Sequence, residues 1–390
     1  MIKNRYLKEY IIQDLKEKMV FIGGARQVGK TTLARNIIAP EFKSFEYLNW
    51  DYREDRRKIL LSELPGEREL IIYDEIHKYK KWKNYLKGIY DKYKEKYKFL
   101  ITGSAKLDIY RKGGDSLQGR YHYYRLHPFT LAELLNKREK IQIFKGIVKD
   151  VNNYREEFNV LYKFGGFPEN IIKQSERTLR RWHNEKVERL LREDIRDLTL
   201  VKDIGSMQIL VELLPDRVGS LLSINSIRED IEVSFRSVSN WLNILEIFYY
   251  IFRIYPYNVK YIRSIKKEPK LYLLDWSEIE DESSRFENMI ASHLLKFVHF
   301  LYDYEGYKVE LNFLRNVDGK EVDFLISIKG KPWFMVEVKL NDINISKSLL
   351  YYKQQLKVPY IYQVIKRENI DKIQDDIRII SADKFLSNLI

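Results

Sequence analysis

The chain has 390 residues, 45% of them hydrophobic and 32% charged, which suits two or three soluble domains rather than a fibrous or disordered chain. Its 69 Lys and Arg outnumber 56 Asp and Glu, and the net charge of +13 favours polyanionic partners such as nucleotides or nucleic acid. The absence of cysteine excludes disulfides, thiolate metal sites and cysteine nucleophiles, and six scattered histidines argue against a histidine-based metal centre.

Residues 1–18 alternate charged and apolar side chains, which predicts an amphipathic helix and not a signal peptide. The most apolar stretch, 244–255, is interrupted by Glu246 and Arg253 and is too short to span a bilayer, so a cytoplasmic protein with no membrane partner is expected. Short apolar runs at 19–23, 69–73 and 98–102 read as strands, 45–49 is strand-like, and 122–126 can add a further one. Helical stretches separate them, including 82–97, and the alternation predicts a parallel α/β sheet covered on both faces.

Gly24-Ala25-Arg26-Gln27-Val28-Gly29-Lys30-Thr31 fits the P-loop pattern at every position, follows a predicted strand and opens a predicted helix. Its backbone N–H groups can cradle the phosphates of ATP, Lys30 can sit between the β- and γ-phosphates, and the Thr31 hydroxyl can bind Mg²⁺. Thr32 continues the loop into the helix. Asp74 and Glu75 end an apolar strand. Asp74 can hold the Mg²⁺ through water, and Glu75 can orient or deprotonate the attacking water. Thr102 or Ser104, ending another strand, can sense the γ-phosphate or simply cap a loop. Arg120, after Gly119, is either an arginine finger, in cis or on a neighbouring copy, or a solvated arginine; the trans case implies a homo-oligomer.

These segments resemble an AAA+-type ATPase family common in archaea and bacteria, in which a C-terminal domain of unknown function follows the ATPase. The resemblance rests on 21–32, Tyr73-Asp74-Glu75-Ile76-His77, 100–104, Leu117-Gln118-Gly119-Arg120 and 128–133. Gly165-Gly166-Phe167-Pro168-Glu169 is similar to its lid signature. Pro269-Lys270-Leu271-Tyr272-Leu273-Leu274-Asp275, Phe313-Leu314-Arg315 and Glu321-Val322-Asp323-Phe324 look like its C-terminal landmarks. It implies ATP binding and the fold, and hardly a physiological role.

From 128 to about 215 the pattern is helical, with a break at 165–168, and is read as a lid or linker. Residues 220–255 read as helix, turn, helix and an apolar hairpin-like tail, the outline of a winged helix-turn-helix, with caps near Ser223 and Ser234. Arg236, Ser237, Ser239 and Asn240 would face outward from its second helix, with Lys260, Arg263, Lys266 and Lys267 following. Such residues suit DNA, whereas Glu229, Asp230 and Glu232 would repel it, and a winged helix can equally pack domains together.

Beyond a predicted helix at 284–301, strands at 308–313, 321–328 and 333–339 read as antiparallel, turned at Asp318-Gly319 and at 329–332, before a helix at 346–356. Asp323, Glu337 and Lys339 on the strands and Glu287 on the helix have the arrangement of a PD-(D/E)xK nuclease core. Glu287, Asp323 and Glu337 can bind Mg²⁺ or Mn²⁺, Lys339 can position water or neutralise phosphate, and Gln354 can assist. A solvated sheet face gives the same alternation.

The expected architecture is thus an AAA+-like P-loop domain at 1–135, a helical lid at 136–215, a winged helix at 216–262 and a restriction-endonuclease-like α/β domain at 263–390. Two functions stay open. One is an ATPase acting on DNA with a nuclease module; the other is an ATP-dependent switch or DNA- or protein-binding regulator that cuts nothing.

Overall fold

The computed structural model describes residues 4–103, 117–137, 140–195, 201, 203–257 and 268–390. Contacts gather the chain into two compact units, Met1–Pro128 with Ile247–Tyr249, and Phe129–Glu246 with Tyr250–Ile390. The expected lid, winged-helix and C-terminal segments fall largely within the second unit. Among the described residues no helix is long and apolar enough to cross a membrane.

The first unit is built on strands β1 (Met19–Gly24), β2 (Phe45–Asn49), β3 (Leu70–Asp74), β4 (Lys98–Thr102) and β5 (Tyr121–Leu126). They pair in the order β2-β3-β4-β1-β5, every pair parallel. β1 and β3 are buried along their whole length, as strands covered on both faces must be. The unit's helices include α1 (Lys8–Asp14), α2 (Lys30–Thr32, continuing in wider turns over Leu33–Ile38), α3 (Arg53–Leu61) and α4 (Trp82–Tyr93). α4 buries Trp82, Leu86 and Ile89 in a cluster with Phe21, Ile71, Tyr73, Phe99 and Ile101. It stops short of the expected end at 97 because the chain turns at Lys94–Lys96 to bury Tyr97 in the same cluster. α1 likewise fills only part of 1–18, since turns carry Lys16, Glu17 and Lys18 into β1.

In the second unit, α5 (Leu131–Leu134), α6 (Arg155–Phe164), α7 (Pro168–Lys173), α8 (Glu176–Arg189) and α9 (Ile204–Leu213) precede the pair α10 (Ile224–Asp230) and α11 (Phe235–Ile247). Ser223 caps α10 by accepting from Ser226 N, and Ser234 accepts from Ser237 N. Strands β6 (Ile251–Pro256) and β7 (Lys270–Leu273) then pair antiparallel. After α12 (Glu282–Asp303) come β8 (Val309–Arg315), β9 (Glu321–Ile328), β10 (Lys331–Lys339), α13 (Lys347–Leu356), β11 (Tyr360–Ile365), β12 (Asp371–Gln374), β13 (Ile377–Ser381) and α14 (Ala382–Leu386).

One eight-stranded sheet runs β12-β13-β11-β10-β9-β8-β6-β7. The β6–β7 hairpin therefore belongs to the same sheet as β8–β10, joined by parallel pairing of Tyr255 with Asn312 and Pro256 with Phe313. The β9–β10 turn is tighter than the sequence pattern suggests: Lys329 and Gly330 both take positive φ, as a two-residue turn requires, and β10 begins at Lys331. Pro332 sits at a register shift, where a missing N–H is tolerated.

The break at Gly165 has a packing cause. A Cβ there would meet Asp275 Oδ1 at 2.5 Å, and Asp275 is fully buried. Trp182 donates to its Oδ2 at 3.0 Å, and Lys186 lies 3.5 Å from the same oxygen. Two of the family landmarks are thus direct neighbours.

Candidate functional site

β1 delivers the loop 24–31 at its carboxyl end, where ligands of open parallel sheets bind. Gly24 has φ +139° and Gly29 φ +96°, and Gly29 caps the helix that opens at Lys30. β5 also crowds this end of the strand. A Cβ on Gly24 would lie 2.4 Å from the Leu126 carbonyl oxygen, and one on Gly23 would overlap the Tyr123 hydroxyl. Ala25 and Val28 are buried, while Arg26, Gln27, Thr31 and Thr32 are exposed.

The loop is closed on its own lysine. Lys30 Nζ donates to the carbonyls of Ala25 at 2.7 Å and Gly24 at 3.1 Å. Asp74 is held by three hydroxyls: Thr31 Oγ1 at 2.8 Å and Tyr47 at 2.7 Å on Oδ2, and Thr102 Oγ1 at 2.5 Å on Oδ1. Burial, and then the bond to Asp74, push the Tyr47 hydroxyl well above its ordinary pKa, so it stays a donor. The Thr31 hydroxyl and Asp74 carboxylate are the hard oxygen donors that Mg²⁺ takes, and they already converge, so the residues fit that ion.

Glu75 follows with φ +57°. Burial raises its carboxyl, opposed chiefly by Lys78, whose Nζ lies 3.4 Å away; His77 Nε2 is 3.6 Å away. Sequence reasoning missed Arg5. It is 4% exposed and donates to Val28 O at 2.8 Å and His127 O at 2.5 Å, tying the loop to the end of β5. Nothing in the sequence sets this arginine apart, and nothing marks Tyr47 among 29 tyrosines.

Arg120 is not brought to the loop. Its carbonyl accepts from Met19 N, at the opposite end of β1 from Gly24, about 17 Å away at strand rise. Its guanidinium pairs with Asp91 at 2.7 and 3.0 Å. A finger in cis is therefore not formed. Thr102 orients Asp74, and Ser104 lies outside the described residues.

Residues 16–135 match the family model of an AAA domain. Most of the matched segment lies in the first unit, which thus carries an AAA-type domain. Downstream of this AAA module, 155–277 and 283–385 match two domains of unknown function, DUF8612 and DUF4143. Relatives along most of the chain are an uncharacterised protein of Haemophilus influenzae, 22% identical over 83% of each chain, and one of Methanocaldococcus jannaschii, 26% identical over 89% of this chain and 80% of its own. Among solved structures, Aeropyrum pernix ORC1 in complex with DNA is 15% identical over 75% of this chain and 94% of its own, with a TM-score of 0.32. The Thermotoga maritima RuvB Holliday junction branch migration motor is 17% identical over 64% of this chain and 88% of its own, with a TM-score of 0.31.

The second unit brings the predicted carboxylates together. Asp323, just before Phe324, and Glu337, just after Val336, lie next to the antiparallel Phe324–Val336 pair of β9 and β10, and Asp323 Oδ2 accepts from Val338 N at 2.8 Å. Lys339 Nζ lies 2.8 Å from Glu337 Oε1. Glu287 comes in from α12 and accepts from the Tyr272 hydroxyl at 2.7 Å. Burial, and then the Asp323 charge, push the carboxyls of Glu287 and Glu337 up to about 7. Gln354 is exposed on α13; Gln363 on β11 is instead the residue in register with Glu337.

The sequence names Lys270 only as part of the 269–275 landmark and does not place it among the carboxylates. Its buried ammonium is 2.6 Å from Glu321 Oε1, 3.3 Å from Glu287 Oε1 and 3.6 Å from Asp323 Oδ1. Among the described residues no three carboxylates or imidazoles form a ready metal cage. Glu287, Asp323 and Glu337 are neighbours, yet they do not fit a divalent ion as they stand.

On α11, Arg236 and Asn240 are exposed and Ser237 and Ser239 half-exposed. Of the acidic residues before it, Glu229 is paired with Arg228 at 3.2 Å and Asp230 with Arg217 at 2.6 Å, while Glu232 is exposed. Lys260, Arg263, Lys266 and Lys267 lie outside the described residues.

Proposed function

We propose that this protein is an ATP-hydrolysing AAA-type ATPase that acts on DNA, and that its C-terminal unit is a nuclease-type fold. The convergence of Thr31, Tyr47 and Thr102 on Asp74 beside the Lys30 loop carries the ATPase reading. ATP enters with its phosphates toward the loop amides, and Lys30 leaves the Gly24 and Ala25 carbonyls to bind them. Thr31 and Asp74 would hold Mg²⁺, which supplies charge neutralisation across the β- and γ-phosphates. Glu75 orients or deprotonates the attacking water, and its burial, which raises the proton affinity of the carboxyl, favours a proton acceptor.

DNA is the partner favoured by the net charge of +13, the helix pair α10–α11 with its adjoining hairpin, and the outward Arg236 and Asn240. A homo-oligomer would place Arg120 of one copy against the nucleotide of another. The second reading, a switch that binds DNA or protein and cuts nothing, is favoured by one observation: Lys270 stands among the carboxylates a metal would need.

The deciding assay is cleavage of linear, circular and single-stranded DNA with Mg²⁺ or Mn²⁺, with and without ATP, comparing the protein with Asp323→Ala. Cleavage that vanishes in the variant supports the nuclease. DNA-stimulated ATP turnover without any cleavage supports the switch. ATP turnover that DNA leaves unchanged, with no cleavage, removes DNA as the partner.

A further inference from the structure

We propose that Lys270 is a built-in counter-ion that takes the place of a divalent cation between Glu287 and Asp323, closing the carboxylate cluster without metal. The inference rests on the carboxylate-cluster reading and on neither ATP nor DNA.

Three observations support it. First, the ammonium reaches oxygens of Glu287, Glu321 and Asp323, so it touches both α12 and β9. Lys270 is 2% exposed, and a cation so deeply buried persists only where carboxylates compensate its lost hydration.

Second, the charge nearly closes. The carboxylates of Glu287, Glu321, Asp323 and Glu337 face Lys270, Lys339 and Arg315, the last 2.6 Å from Glu321 Oε2.

Third, the fold fixes Lys270 in place. It opens β7, its backbone pairs with Ile254 of β6, and Leu222 N donates to the Pro269 carbonyl beside it. A divalent ion bound to Glu287 and Asp323 would share oxygens with this ammonium, and like charges at that separation repel strongly. Lys339, half-exposed and paired only with Glu337 within the cluster, does not fill the same position. Glu337 Oε2, buried without a hydrogen-bond partner, is the oxygen left for an ion once Lys270 is gone.

The test is Mn²⁺ binding, read from the paramagnetic resonance signal of the free ion. It uses the full nucleotide-free chain carrying Asp74→Asn, which removes the other candidate ligand. With Lys270 intact, adding Asp323→Asn is expected to leave Mn²⁺ binding unchanged up to about 1 mM. Lys270→Met is expected to create a site at least about tenfold tighter, lost again on adding Asp323→Asn. Asp323-dependent binding with Lys270 present overturns the proposal. So does a folded Lys270→Met protein that gains no site. If Lys270→Met does not fold, the comparison with Lys270 intact decides alone. DNA cleavage is read separately, so failure here leaves the ATPase reading standing.

Discussion

Thr31 and Asp74, far apart in sequence, share a 2.8 Å hydrogen bond between the P-loop helix and the end of β3. Apposed β1 and β4, together with the β3–β4 pairing of Asp74 with Thr102, bring the parts of the nucleotide site together. Lys30 completes it, and Lys30→Ala is expected to lower ATP turnover at least about a hundredfold, because the γ-phosphate loses its main cation. Phosphate release checks this; retained turnover would mean the loop does not bind ATP as described.

Asp323→Ala is expected to leave ATP turnover within about twofold of the parent, since the partners of its carboxylate, Val338 and Lys270, belong to the second unit. Phosphate release and a melting curve should be measured on the same preparation. Loss of turnover in a folded variant would show that the two units work as one.

Arg120→Ala removes an exposed ion pair with Asp91 at the far end of β1 from the loop. ATP turnover at low protein concentration should stay within about twofold. A hundredfold loss, with turnover per chain rising with concentration in the parent, would instead assign this arginine to a neighbouring copy.

Gly24→Ala places a Cβ 2.4 Å from the Leu126 carbonyl oxygen at φ +139°. Both effects strain β1 against β5, and a loss of about 2–4 kcal/mol is expected. Denaturant unfolding reads it; an unchanged midpoint would show that β5 moves freely.

Glu287 carries a carboxyl pushed up to about 7 by burial and by Asp323. The folded protein thus holds a proton that the unfolded chain releases near its ordinary value. This contribution is fully present below the unfolded pKa and is lost as pH rises through about 7. Between pH 5 and pH 8 the melting temperature should fall less in Glu287→Gln than in the parent. Equal slopes would place the titration elsewhere.

Strands β1, β3 and β4 were legible because each carries a continuous apolar run, Met19–Ile22, Leu70–Tyr73 and Phe99–Ile101, and such runs suit a sheet covered on both sides. The P-loop was legible because phosphate binding fixes residue types at fixed spacing. Asp323 and Glu337 were legible as neighbours because hairpin turns set register. Arg5, Tyr47 and Lys270 were not. Each acts through a partner brought near by topology, and no local period or spacing records such a partnership. The ends of α1 and α4 were overrun for a related reason: tertiary burial of Tyr97 and entry into β1 stop helices whose local pattern would continue.

The pairing of β6 with β8 also bears on how the chain can be divided. A cut near residue 263, which the sequence pattern invites, would strip β6 from the sheet and leave β7 without its neighbour. β8 would then present unpaired amides and carbonyls along an exposed edge, the kind of surface on which chains stack into insoluble aggregates. The C-terminal half is therefore not a cassette to be lifted out at that boundary, and fragments meant for expression or crystallisation should keep the hairpin.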